Sequence, residues 1–262
     1  REAVNFIKKE RKGPFFIYLA YNAPHSPLQA TKKYLDRFPN IENKKRKIYA
    51  AMVSAVDDGV GNVLDALDEM AISDNTIVYF LSDNGGPLHN GSNNDPLRGK
   101  KGNVYEGGIR VPFAMQWPKN IKAGQTYAKP VISLDIFATA AEYAGFTPKS
   151  KIDGVNIVPF LNAKSNETPH NYLFWRKFDQ EKIGIRSDDF KLVKEDNGVL
   201  ELFNVTKDIS EKNPLYNKNH FNKLHNEYEI WLKEMLDPIF FGLLHNTEYS
   251  KSHPNRFLIK EE

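Results

Sequence analysis

The chain has 262 residues, 40% of them hydrophobic and 26% charged, with a formal net charge of +3 and no cysteine. That balance is ordinary for a globular protein of one large or two modest domains. It excludes a nucleic-acid-binding surface driven by bulk charge, and there is no apolar run long enough to span a membrane. The missing cysteine excludes disulfides and leaves the compartment open.

In chain order, Glu2 to Lys9 reads as a helix that opens without a cap or a hydrophobic entry signal, which favours a truncated or split chain. Pro14 to Ala20 follows as an apolar run with the pattern of a buried strand. The prolines in Tyr21-Asn22-Ala23-Pro24-His25-Ser26-Pro27 exclude helix and continued strand, so His25 sits on a stiff loop, where a histidine is usually a surface residue. Lys47 to Met70 is a helix, with Ile48, Met52, Val56, Val60, Val63, Leu64 and Leu67 at helical spacing. Asp57 and Asp58 on it read as a solvated or hydrogen-bonded face and stay outside the site.

Ile77 to Ser82 is a second apolar run, expected as a strand buried on both faces in a parallel α/β sheet. Ligands collect at the carboxyl ends of such strands. There stand Asp83-Asn84-Gly85-Gly86, offering a carboxylate and an amide oxygen suited to a hard cation, and equally good turn chemistry. Pro96 to Arg110 is a glycine-punctuated loop with four cations and one carboxylate, able to wrap an anion or to stand solvated. A helix over Ile136 to Ala144 stops at Gly145, and Asp135 before it reads as its cap. Ala163 to Pro169 is the candidate linker. Beyond it come strand-like pieces at Tyr172–Trp175, Phe190–Val193 and Leu200–Phe203, then a helix from His220 to Met235. The polar residues from Asn246 on are expected to be loosely held.

Together, in this order, the segments Phe15 to Gln29, Leu81 to Gly86, Leu97 to Gly102 and Tyr105 to Arg110 resemble the sulfatase family of the alkaline-phosphatase-like superfamily. Ile152-Asp153-Gly154-Val155, Gly184 to Val193 and Glu201 to Val205 are similar to its closing segments. The resemblance implies an α/β fold: the second half of an alkaline-phosphatase-like sandwich with a mainly parallel sheet over residues 1–165, then a small α+β subdomain of antiparallel strands plus helix over 166–262. It implies that Asp83 and Asn84 complete one Ca2+ site whose other ligands lie outside this chain. Lys101, with Lys100 as its rival, matches the sulfate-binding lysine, and His25 matches the histidine that contacts the sulfate ester and can protonate the departing alcohol.

The implied activity is hydrolysis of sulfate monoesters, on a sulfated carbohydrate, in the periplasm or outside the cell. The family's nucleophile is a formylglycine made from the first residue of a Cys- or Ser-x-Pro-x-Arg segment. Neither version is expected between Arg1 and Glu262; that segment, the Asp-Asp metal pair of the first strand and the first-half lysine and histidine are expected in a missing N-terminal half, so the chain alone is expected to be inactive. A sulfated-glycan-binding module without catalysis, or a related phosphoester or phosphonate hydrolase, are the alternatives. His89, Asn94, Arg98, Trp175 and Arg176 are candidates for substrate contact or for plain surface packing.

Overall fold

The computed structural model describes residues 1–9, 13–162 and 167–238. Its elements run α1 (Glu2–Lys8), α2 (Lys32–Leu35), α3 (Lys44–Glu69), β1 (Val78–Leu81), α4 (Glu106–Ile109), β2 (Phe113–Gln116), α5 (Leu134–Tyr143), α6 (Val158–Leu161), β3 (Leu173–Lys177), β4 (Lys182–Ser187), β5 (Phe190–Lys194), β6 (Leu200–Asn204) and α7 (Lys218–Leu232). They form two compact units. The first is Arg1–Asn94 with Val111–Pro169; the second is Asp95–Arg110 with the chain from His170 on.

In the first unit, α3 starts one turn before the apolar periodicity does, because Asn43 caps it by accepting from the Arg46 amide at 3.0 Å. Its buried Ala66 and Leu67 meet Ile7 of α1, with Phe15, Ile17, Val63 and Val78 packed around them. Asp58 accepts from both terminal nitrogens of Arg37 and from Lys33, so it is the hydrogen-bonded helix face the sequence suggested. Asp135 falls inside the first turn of α5 and accepts from the Ile132 and Val155 amides at 2.8 and 2.9 Å. It braces the 152–156 loop against the helix start, a longer reach than a cap.

β1 pairs antiparallel with β2, from Val78 opposite Gln116 to Leu81 opposite Phe113. The mixed α/β class holds, but no parallel ladder exists among the described residues. Nor is β1 buried on both faces: Phe80 is exposed. The Pro14–Ala20 run has no ladder partner among the described residues; Phe15 and Ile17 turn to the core while Phe16 and Tyr18 remain 75% and 84% exposed. Alternation gives it one buried face, where the apolar run suggested two.

The second unit is a four-stranded antiparallel meander, β3-β4-β5-β6. The expected set of three strands misses β4, where Ile183 and Ile185 alternate with Lys182, Gly184 and Arg186. One sheet face carries Ile185, Leu192 and Leu202 against Leu224 and Tyr228 of α7. The other carries Val193 and Phe203 against Val104 and Tyr105, so the Asp95–Arg110 segment lies on the sheet like a second layer. α7 begins at Lys218, capped by Asn217 accepting from the His220 amide. Residues 163–166 of the candidate linker and the tail from Asn246 lie outside the described residues.

Candidate functional site

Within the first unit, the His25 loop is seated on α3. Tyr21 lies on Gly59, where a Cβ would come 2.7 Å from its hydroxyl. A mid-helix glycine costs about 1 kcal/mol relative to alanine, and here it gives the aromatic ring room at the root of the loop. The His25 amide bonds the Asn22 carbonyl at 2.9 Å, closing a tight turn. The ring's Nδ1 lies 2.8 Å from the Ser26 carbonyl. That contact assigns a proton to Nδ1 and leaves Nε2 for chemistry at the exposed side of the loop.

Asp83 and Asn84 follow β1 directly. Ser82 Oγ donates to the Asn84 carbonyl at 3.0 Å, and Asn84 Nδ2 donates to the Gly85 carbonyl at 3.0 Å. The amide's donor end is thus engaged, and no hydrogen bond to its Oδ1 is recorded among the described residues. Beyond them Asn94 clasps Gly86, accepting from its amide and donating to its carbonyl, both at 2.8 Å. Asp83 is exposed, and no hydrogen bond or ion pair to it is recorded among the described residues. A carboxylate beside an amide oxygen suits a hard cation, yet a hard cation takes six or more oxygens. No cluster of three or more His, Asp or Glu able to hold a metal is present among the described residues.

In the second unit, the lysine pair sits at the tip of a stapled loop. The Asn103 amide bonds the Lys100 carbonyl at 2.9 Å, and Asn103 Oδ1 accepts from the Lys100 amide at 3.0 Å. Gly102 lies at φ +90°, so Lys101 occupies the corner of a turn of the type II pattern. The loop then folds back on α4: the Gly107 amide bonds the Arg98 carbonyl at 2.6 Å, and a Cβ on Gly107 would stand 2.5 Å from that oxygen. Lys177 reaches the same tip, its Nζ 3.5 Å from where a Gly102 Cβ would be. No side-chain hydrogen bond or ion pair is recorded for Lys100, Lys101 or Lys177 among the described residues.

Two buried carboxylates fasten this loop to the sheet. Glu195 accepts from the Val104 amide, from Asn103 Nδ2 at 2.9 Å and from Lys182 Nζ at 2.9 Å. Glu211 accepts from the Glu106 amide at 2.7 Å and from Lys191 Nζ at 3.0 Å, while Lys191 also pairs with Glu106 at 2.9 Å. Lys191 is wholly buried. Burial pushes the Glu211 carboxyl above the ordinary range, with Lys191 only partly offsetting it. Burial also works against Glu106, but Lys191, Arg186 and Arg110 outweigh it and hold that carboxyl below the ordinary range.

Several substrate-contact candidates have other work. Arg98 donates to the Glu211 carbonyl at 2.6 Å and lies over the Tyr105 ring at 4.0 Å. Trp175 packs on the Val104 and Phe203 core, and Arg176 donates to the Leu236 carbonyl. Asn94 has both ends of its amide engaged; His89 stays exposed. Glu195, Glu211 and Lys191 escaped the sequence reading because their partners lie far off in the chain.

The expectation that no Ser-x-Pro-x-Arg segment occurs here needs correction. Ser252-His253-Pro254-Asn255-Arg256 has that spelling. It lies outside the described residues, near the chain's end, whereas the resemblance places the nucleophile in the family's first half.

The Sulfatase family signature matches residues 1–146, more than half of the chain. The signature described as N-sulphoglucosamine sulphohydrolase, C-terminal, matches residues 100–237. Human steryl-sulfatase is 36% identical over 184 residues, 66% of this chain and 30% of its own length. Human N-acetylgalactosamine-6-sulfatase is 38% identical over 168 residues, 62% of this chain and 31% of its own length. The chain thus spans about a third of the length of these curated relatives. Among solved structures, Ps i-CgsB in complex with k-i-k-neocarrahexaose superposes with a TM-score of 0.88 at 40% identity, over 99% of this chain and 58% of that one. The extent and order of these matches, over a mixed α/β architecture shared with solved sulfatases, establish that the chain belongs to the sulfatase family, with its alkaline-phosphatase-like fold.

Proposed function

We propose that this chain supplies the sulfate-binding lysine, the proton-donating histidine and part of the calcium site of a hydrolase of sulfate monoesters acting on a sulfated carbohydrate. The observation that carries the reading is the 40% identity, over 99% of a chain that belongs to the sulfatase family, to Ps i-CgsB, solved in complex with k-i-k-neocarrahexaose. The free ammonium of Lys101 at a rigid turn supports its assignment to the sulfuryl oxygens, where a compact positive charge stabilises the charge that builds up as the ester breaks. His25, protonated on both nitrogens and held through Nδ1 on the Ser26 carbonyl, gives its Nε2 proton to the alcohol oxygen as the S–O bond breaks; that oxygen keeps the bonding pair and the imidazole ends neutral. Asp83 and Asn84 would hold Ca2+ through two oxygens. The ion supplies Lewis-acid polarisation of the sulfate and a template for its orientation. The nucleophile, a formylglycine by family resemblance, is assigned to a Cys- or Ser-x-Pro-x-Arg segment of the family's first half. A periplasmic or secreted location goes with the reading, and cell fractionation checks it.

The test is sulfate release, followed by ion chromatography, from a panel of sulfated oligosaccharides that includes neocarrahexaose and from an aryl sulfate, using the longest natural product of the gene. Lys101→Ala should lower kcat/KM by about 10²- to 10³-fold, Lys100→Ala far less, and Ser252→Ala not at all. Oligosaccharide binding without turnover, or faster cleavage of phosphate than of sulfate esters, overturns the reading. The 262-residue chain alone should release no sulfate, and turnover by it overturns the division of labour.

A further inference from the structure

The turn that bears Lys101 is held more tightly than packing requires. Val104 and Tyr105 already bury the loop against Val193 and Phe203, and apolar contact of that kind suffices to seat a loop. A buried carboxylate costs desolvation, and replacing such an ion pair by apolar groups is often neutral or stabilising. Yet Glu195, 6% exposed, spends its acceptors on one lysine and on two groups of the loop itself. The Asn103 side chain passes the constraint on: Nδ2 is fixed by Glu195, and Oδ1 holds the Lys100 amide, one residue from Lys101. Lys182, itself 4% exposed and paired with Glu195 at 2.9 Å and Asp196 at 2.7 Å, fixes the carboxylate in turn.

We propose that Glu195 is a positioning residue for the sulfate-binding lysine, acting through Asn103 on the Lys100–Asn103 turn, with Lys182 as its anchor. The inference rests on the assignment of Lys101 to sulfate and adds what aims it. A lysine side chain has several freely rotating bonds, and a rigid root removes part of the entropy lost when its ammonium is fixed on an anion. Glu195 touches no substrate; it sets where the lysine starts from.

The experiment uses the whole 262-residue chain labelled with nitrogen-15, titrated with inorganic sulfate while the amide and ammonium signals of Lys101 are followed by NMR, with amide hydrogen exchange measured alongside. Glu195→Gln removes one acceptor and sets an amide donor against the remaining donors. Asn103→Ala breaks the relay but leaves Glu195 on Val104 and Lys182, so it guards against loss of fold. Both variants should weaken sulfate binding at Lys101 by about tenfold, within the range that small misplacements cost, and should speed exchange at the Lys100 amide. The amides of β4 and β5 should exchange as in the wild type. Faster exchange at Lys100 with unchanged sulfate affinity overturns the proposal and makes Glu195 a fold residue only. Unchanged exchange at Lys100 in Asn103→Ala overturns the relay. If sulfate moves no Lys101 signal in the wild type, the assignment of Lys101 itself fails, and the positioning role falls with it.

Discussion

Replacing Lys191 by methionine keeps most of the side-chain volume and removes one charge, and the structure gives the size of the effect. The lost ammonium is wholly buried and lies 2.9 Å from Glu106 and 3.0 Å from Glu211, both nearly inaccessible. Two carboxylates are left facing one another with their shared cation gone. Breaking a buried pair by removing one partner costs about 3–5 kcal/mol. In a folding unit of about 100 residues that lowers the melting midpoint by about 12 °C or more. The pH dependence adds a second reading. Glu106 sits below its ordinary value of 4.5, so its stabilising share is present above that value and is lost as pH falls through the lower folded value. Glu211 sits above 4.5, so its share is complete below that value and is lost as pH rises through the raised one. Without Lys191 both carboxyls are pushed upward, so the variant's deficit should narrow as pH drops from 7 toward 5. Urea unfolding followed by tryptophan fluorescence at several pH values measures it. A deficit under about 1 kcal/mol at pH 7, far below the buried-pair range, or one that fails to narrow on acidification, refutes the account.

Three further outcomes follow from local geometry. Gly107→Ala puts a Cβ 2.5 Å from the Arg98 carbonyl and 2.7 Å from that of Gly99, and should cost about 1–3 kcal/mol in thermal melts, with faster amide exchange across residues 98–107. Asn43→Ala removes the acceptor for the Arg46 amide and should cost about 1 kcal/mol, largely restored by Asn43→Asp; equal loss in both variants would show that the cap does not act through its oxygen. Calorimetry of Ca2+ with the chain should give weak binding that Asp83→Ala abolishes, because the Asp83–Asn84 pair offers only part of a hard cation's shell; binding that survives Asp83→Ala places the cation elsewhere.

Much of the architecture was legible because the physics that sets it is local. α3 shows in the 3.6-residue recurrence of its apolar positions, though its first turn, Lys44 to Lys47, has no apolar residue to carry the period and depends on Asn43. β1 shows in its apolar run, but its direction of pairing does not, since Phe113–Gln116 is set opposite it by a long intervening stretch. β4 escaped because two isoleucines between charged residues make a short signal, and Lys182 is buried only by virtue of Glu195 and Asp196. Of the candidate residues, Asp83 and Asn84 could be proposed from their place at a strand's exit, where the structure does put them. The stiffness of the Lys101 turn did not, because Glu195 lies 92 residues from Asn103 and Glu211 lies 105 from Glu106. The assignment of Lys101, His25 and the acid–amide pair to sulfate chemistry came from the ordered resemblance, not from any one motif.

The loop Asp95–Arg110 leaves the unit that surrounds it in sequence and joins the sheet formed after His170. Anyone recombining related chains would have to respect that exchange. A crossover at Pro169 would pair one parent's lysine turn with the other parent's Glu195, Lys191 and Glu211. A functional graft must carry residues 95–110 and the region from 170 on as one discontinuous cassette, and chimeras cut only once should fold poorly even where every helix and strand is intact.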